Sequence, residues 1–228
     1  MNKPVGLFSS SLGRKVVMGL TGLFLCSFLI VHLAGNLALF KPMAEASEAF
    51  NRYTLFMTTN PLIRISEIIL FAGLVAHIVD AVMLTKANKK ARPVQYAMDK
   101  KKSSWYSRNM GMTGSLILVF IILHLNSYFV KYKFGGVTEV MYDGDKMGDM
   151  YTVVIDSFKD PIYSIVYIIC ITVLGLHLNH GFQSAFQSMG LNHPKYTPII
   201  KKAGSIFAVL MTIGFLSFPI YFGFFFNN

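Results

Sequence analysis

Five long apolar blocks alternate with polar stretches along this chain. They cover about residues 16–40, 62–85, 109–130, 161–187 and 199–226, each near or above the roughly 20 residues a helix needs to cross a hydrocarbon core. The apolar residues come in continuous runs, without the one-sided rhythm of a soluble helix. The pattern predicts an all-α integral membrane protein with five transmembrane helices in a single domain over 1–228. Asn60-Pro61 and Asp160-Pro161 each read as a cap followed by proline at the first helical position. Gly190, Pro194 and Pro198 mark the break before the last block. Residues around 43–57 read as a short interfacial helix. The polar, acidic stretch 131–159, with Gly135-Gly136, reads as a loop or hairpin over the outer mouth.

Composition agrees. Hydrophobic residues make up 54% and charged residues 14% of the 228, with mean hydropathy +0.51, where a soluble domain carries about 25% charged residues. The first block is long enough to span and lacks a small-residue cleavage site, so no removable signal peptide is expected. Cys26 and Cys170 fall inside apolar blocks and read as small core residues. The net charge of +10 is unevenly placed. The N-terminus and the second and fourth connections hold fourteen basic residues and one acid, Asp99. The first and third connections, with Arg64, hold seven basic residues and eight acids. The positive-inside rule then puts the N-terminus in the cytoplasm and the C-terminus outside. A basic cytoplasmic face suits anionic lipid and docked subunits, and this distribution argues against nucleic acid.

Four blocks each carry a histidine late in the block: His32, His77, His124 and His177. Ionisable side chains inside a bilayer are costly and usually functional. At 1.5 Å per residue, His32 and His124 lie roughly 25 and 24 Å from the inner edge, and His77 and His177 roughly 13 and 15 Å. Successive helices alternate direction, so the four form two pairs at two levels about 10 Å apart. Two bis-histidine b haems need that arrangement, one histidine from each of four helices and two at each depth, and the first four helices are expected to form the haem-binding bundle. Gly35, Gly73 and Gly181 near the histidines would leave room for a flat macrocycle. His180 shares a face with His177 and is read as a packing or propionate-proximal residue, with ligation in place of His177 left open. His193 reads as a solvated turn residue. No internal repeat, nucleotide-binding loop or cysteine cluster stands out, and Gly19-Leu20-Thr21-Gly22 reads as close helix packing.

The segments FLIVHLAGN, GLVAHIVDA, FIILHLNSY and GLHLNHGFQSAFQSMG resemble the cytochrome b558 anchor subunits of succinate:quinone oxidoreductases. The similarity is to the single-anchor, five-helix, two-haem type shared with some fumarate reductases, in versions from Bacteroidetes-like bacteria, and it runs along the whole chain. It implies an outer haem on His32 and His124 and an inner haem on His77 and His177. It also implies a bacterial cytoplasmic membrane location and cytoplasmic flavoprotein and iron–sulfur partners, with electrons passing through the two haems to or from a membrane quinone, menaquinone by resemblance. The dicarboxylate site would lie on another subunit, as part of respiratory complex II and the tricarboxylic acid cycle. Some fumarate reductases carry a glutamate two residues before the fourth-helix histidine; Gly175 stands there in this chain, so that proton path is not implied.

Haem propionates need cationic or hydrogen-bonding neighbours, and Ser11, Arg14, Lys15, Trp105 and Arg108 are the candidates at the inner face. A quinone site needs a hydrogen-bond donor and a proton-exchanging group. Arg64 and Glu67, three apart on one helix face, with Asn36 one turn beyond His32, are the candidates at the outer face. A proton-coupled transporter using the histidines as relays is the competing class; it leaves their pairing in depth unexplained.

Overall fold

Helices begin where a side chain can accept the first free backbone amides, and this chain supplies such a residue repeatedly. The computed structural model describes residues 10–91 and 109–226. Ser10 accepts from the Gly13 amide at 2.9 Å and opens α1 (Ser11–Asn36), which runs on through a 3₁₀ turn, Leu37–Phe40. A short amphipathic helix, α2 (Met43–Thr59), follows where the interfacial helix is expected. Asn60 accepts from Leu62 and Ile63 and starts α3 (Pro61–Ala91). Then come α4 (Met110–His124), a π-helical turn Leu125–Val130, and α5 (Lys131–Phe134). Asp160 accepts from Ile162 at 2.9 Å and starts α7 (Pro161–Ser188), and α8 (Thr197–Phe224) ends the described chain.

Five helical stretches are long and apolar enough to cross a membrane: Leu12–Phe40, Pro61–Lys90, Met110–Phe134, Pro161–Ser188 and Thr197–Phe224. The protein is thus an all-α, multi-pass membrane protein, as its hydropathy predicts. The connection 131–159 is a hairpin followed by a helix. Strands β1 (Glu139–Tyr142) and β2 (Asp145–Gly148) pair antiparallel, with Tyr142 opposite Asp145. Asp143 and Gly144 between them both have positive φ, 51° and 87°, the backbone that a two-residue hairpin turn demands and Asp-Gly tolerates. Helix α6 (Met150–Lys159) follows, capped by Asp149.

The chain divides into two compact units. The first comprises Met1–Phe28, Ile69–Ser115 and Gly175–Leu210; the second comprises Leu29–Ile68, Leu116–Leu174 and Met211–Asn228. In the first, small residues and amides bring helices together, as expected where lipid removes the hydrophobic drive. A Cβ on Gly19 would lie 3.1 Å from the Ala185 carbonyl oxygen. Ser205 on α8 donates to Asn179 on α7 at 2.9 Å, and Gln183 donates to the same oxygen at 3.0 Å. In the second, Leu39, Phe50, Phe120, Met150, Val154, Phe158, Tyr167, Phe218 and Phe222 form a continuous buried core. Asn51, fully buried, donates to Asp149 at 3.0 Å and accepts from the Tyr151 amide at 2.9 Å, tying α2 to the start of α6. Arg52 reaches Glu48, Asp143 and Asp145 and holds the hairpin against the same helix.

Candidate metal centres and their polar surroundings

The four membrane histidines meet in two pairs, one within each unit. In the second unit the His32 and His124 rings stand 5.7 Å apart between centroids, at 84°. In the first unit His77 and His177 stand 6.5 Å apart, at 72°. A metal held between two imidazole nitrogens at roughly 2.0–2.1 Å from each would put the centroids about 6.3 Å apart. The two observed values lie on either side of that spacing. Each pair draws one ring from each of two helices: α1 and α4 for one, α3 and α7 for the other. It is His177, not His180, whose ring stands opposite His77; His180 lies one turn further along α7. Among the described residues no group of three or more His, Cys, Asp or Glu side chains is placed to hold a metal ion; each pair offers two imidazoles.

The second nitrogen of three of the rings has a partner. The Thr21 hydroxyl lies 3.2 Å from His77 Nδ1, and the Thr113 hydroxyl lies 3.5 Å from His177 Nδ1. The Tyr167 hydroxyl lies 3.2 Å from His124 Nδ1. Tyr167 is buried against Phe120 and Phe158, and the Tyr163 hydroxyl lies 2.8 Å from its hydroxyl and 3.3 Å from that of Tyr128. With Nδ1 occupied in this way, Nε2 is the nitrogen left for a metal. Phe215 covers the other side of His32, at 5.8 Å between centroids. His124 also ends the regular part of α4, and the π-helical turn starts at the next residue. Such widened turns are frequent at functional sites.

Backbone room also exists, but not at every expected glycine. A Cβ on Gly22 would lie 3.4 Å from His77 Cε1, and one on Gly114 would lie 3.8 Å from His177 Cε1. Both glycines face the rings, with space for no more than a methyl group between. Gly181 faces open space. Gly73 and Gly35, expected to make room for a macrocycle, instead receive aromatic side chains: a Cβ would meet Phe24 at 3.1 Å and Tyr53 at 2.2 Å.

Glu67 is paired with Arg64, and Lys133 approaches its other oxygen at 3.8 Å. Asn36 turns back to donate to the His32 carbonyl at 2.7 Å, so the third member of that cluster is Lys133, on α5, which sequence reasoning passed over. Arg14 is half-buried and Lys15 exposed in the first turn of α1. Ser11 opens that helix; its side chain, with Trp105 and Arg108, lies outside the described residues. His193 sits in the exposed turn before α8, accepting from the Lys195 amide at 3.2 Å. One oxygen of Asp80, one turn past His77, is buried without a hydrogen-bond partner among the described residues.

The two threonines expose a repeat that reading the sequence alone missed. Met18-Gly19-Leu20-Thr21-Gly22 and Met110-Gly111-Met112-Thr113-Gly114 share M-G-x-T-G, and in both the glycine precedes a His-Leu pair by ten residues. Pro61 and Pro161 each precede a histidine by sixteen. Helices α1 and α3 are thus repeated as α4 and α7, and each ring pair joins a histidine to its own counterpart. No family model, curated protein or solved structure matches the chain.

Proposed function

We propose that this chain is the di-haem cytochrome b membrane anchor of a succinate:quinone oxidoreductase, handing electrons between an iron–sulfur partner and a membrane quinone. The observation that carries the reading is the meeting of four membrane histidines as two facing imidazole pairs, 5.7 and 6.5 Å between centroids. The donor set suits haem b: two imidazoles at each site, three of the four with Nδ1 beside a hydroxyl, set among apolar side chains. The likeness of the four histidine segments to cytochrome b558 anchors supports the same reading.

When bound, the haems would supply one-electron redox chemistry. His32 with His124, and His77 with His177, would hold the two irons. Phe120, Phe158 and Phe215 keep water from the His32–His124 pair, and lower polarity around an iron site tunes its potential. Arg14 and Lys15, with Ser11, Trp105 and Arg108, remain the candidates for holding propionates. At Arg64, Glu67 and Lys133, the Arg64 guanidinium can donate to a quinone oxygen, and a Glu67 carboxylate oxygen can take or release the proton that quinone chemistry requires. Menaquinone, the bacterial cytoplasmic membrane, and flavoprotein and iron–sulfur partners at the basic face complete the proposal.

The test of the anchor reading is affinity purification of the tagged chain from its native host. Co-purification of a flavoprotein and an iron–sulfur protein, with succinate-dependent quinone reduction or quinol-dependent fumarate reduction, is the expected result. Purification of the intact chain without either partner or either activity would overturn it.

A further inference from the structure

Thr21 and Thr113 occupy equivalent places in the two repeats and make the same two contacts. Each hydroxyl donates its hydrogen into its own preceding turn: Thr21 toward the Val17 and Met18 carbonyls at 2.8 and 3.2 Å, and Thr113 to Met110, the counterpart of Met18, at 3.1 Å. A hydroxyl has one hydrogen and two lone pairs. With the hydrogen spent on the helix, what faces the imidazole is a lone pair, which can only accept. A proton on the Nδ1 atoms of His77 and His177, at 3.2 and 3.5 Å, matches that lone pair. The next residue in each repeat is a glycine on the side of the helix that faces the ring: a Cβ there would make ordinary contact with it, 3.4 Å from His77 Cε1 at Gly22 and 3.8 Å from His177 Cε1 at Gly114.

We infer that Thr21 and Thr113 are paired positioning residues, fixing His77 and His177 in the Nδ1-protonated tautomer so that both present a bare Nε2 to one metal. The inference rests on the haem reading for its chemical outcome, though not for the tautomer. Accepting the Nδ1 hydrogen makes each imidazole a stronger electron donor, which favours oxidised iron. The repeat makes the cradle two-sided. The His32–His124 pair differs: there the partner of His124 is Tyr167, from outside the repeated M-G-x-T-G segment.

The test compares Thr21→Val and Thr113→Val, which keep the shape and remove the acceptor, with Thr21→Ser and Thr113→Ser, which restore it. In haem-loaded protein the valine variants should raise the midpoint potential of one haem only, the one lost from His77→Ala protein, and the serine variants should return it to the native value. Both haems retained at native potentials in the double valine variant would overturn the inference. The second readout is ¹⁵N NMR of the ring nitrogens in haem-free protein. Nδ1-protonated His77 and His177 in the parent, giving way to mixed tautomers in the valine variants, supports the positioning role; unchanged tautomers overturn it. If the parent binds no haem at all, the cytochrome proposal fails while the NMR comparison still decides this one. If a valine variant does not fold, the alanine variant at the same position replaces it in both measurements.

Discussion

His32 and His124 stand almost perpendicular, their ring planes 84° apart at a centroid separation of 5.7 Å. His77 and His177 are crossed as well, at 72°. If the pairs hold haem iron as proposed, imidazoles crossed in this way would not single out one iron dπ orbital, and the oxidised protein should give highly anisotropic low-spin EPR signals. Frozen-solution EPR of the oxidised protein checks this. A rhombic spectrum typical of parallel imidazoles would contradict the observed ring angles.

Each unit holds one pair, so the pairs should fail separately. His32→Ala or His124→Ala should reduce bound haem from two per chain to one, and His77→Ala or His177→Ala should remove the other. Haem per polypeptide, with redox titration of the survivor, distinguishes the two losses. His180→Ala should retain both haems, since His177 is the ring facing His77.

Glu67 is paired with Arg64 and approached by Lys133. Glu67→Gln keeps the shape and removes the proton-exchanging carboxylate. Quinone-linked turnover should fall by about 10²-fold or more, within the usual range for general acid–base groups, with both haems retained. Native turnover in a fully haem-loaded Glu67→Gln complex would place the quinone chemistry elsewhere.

The buried Asn51–Asp149 contact predicts a pH response outside the membrane. Burial raises the Asp149 carboxyl, but hydrogen bonds from Thr152 and Asn51 outweigh it, and the net pKa lies below the ordinary 3.8. A depressed carboxylate stabilises the fold fully above its unfolded pKa, and that contribution disappears as pH falls through the folded value. Protection of the Tyr151 and Thr152 amides from hydrogen exchange, measured relative to their intrinsic rates, should therefore fall below about pH 4. Asn51→Ala should weaken the contact by about 1–3 kcal/mol and move this loss of protection to higher pH.

Gly35 lies where any side chain would run into Tyr53, only 2.2 Å from its hydroxyl. Gly35→Val should destabilise the second unit by about 1–3 kcal/mol. Gly35→Val combined with Tyr53→Ala should recover much of this loss in thermal unfolding.

The five spans were legible because continuous apolar runs have few other outcomes, and the starts of α3 and α7 because Asn60-Pro61 and Asp160-Pro161 are strong caps. The histidine pairing followed from helix rise alone. The threonines were not legible because a threonine inside an apolar helix most often bonds its own carbonyl; that Thr21 and Thr113 also face imidazoles depends on how the helices cross. The repeat was hidden by its spacing. His32 and His124 are 92 residues apart, but His77 and His177 are 100 apart, because the second copy carries the β1–β2 hairpin between its two helices. Gly35 and Gly73 misled because a missing side chain does not say what fills the gap. Lys133 was missed because it comes from α5, far in sequence from Arg64 and Glu67.

Whether the four histidines hold two b-type haems is decided by a dithionite-reduced minus oxidised visible spectrum of the purified chain, with haem quantified per polypeptide. B-type bands and two haems per chain are expected. Folded protein, made with ample haem and showing none, would contradict it.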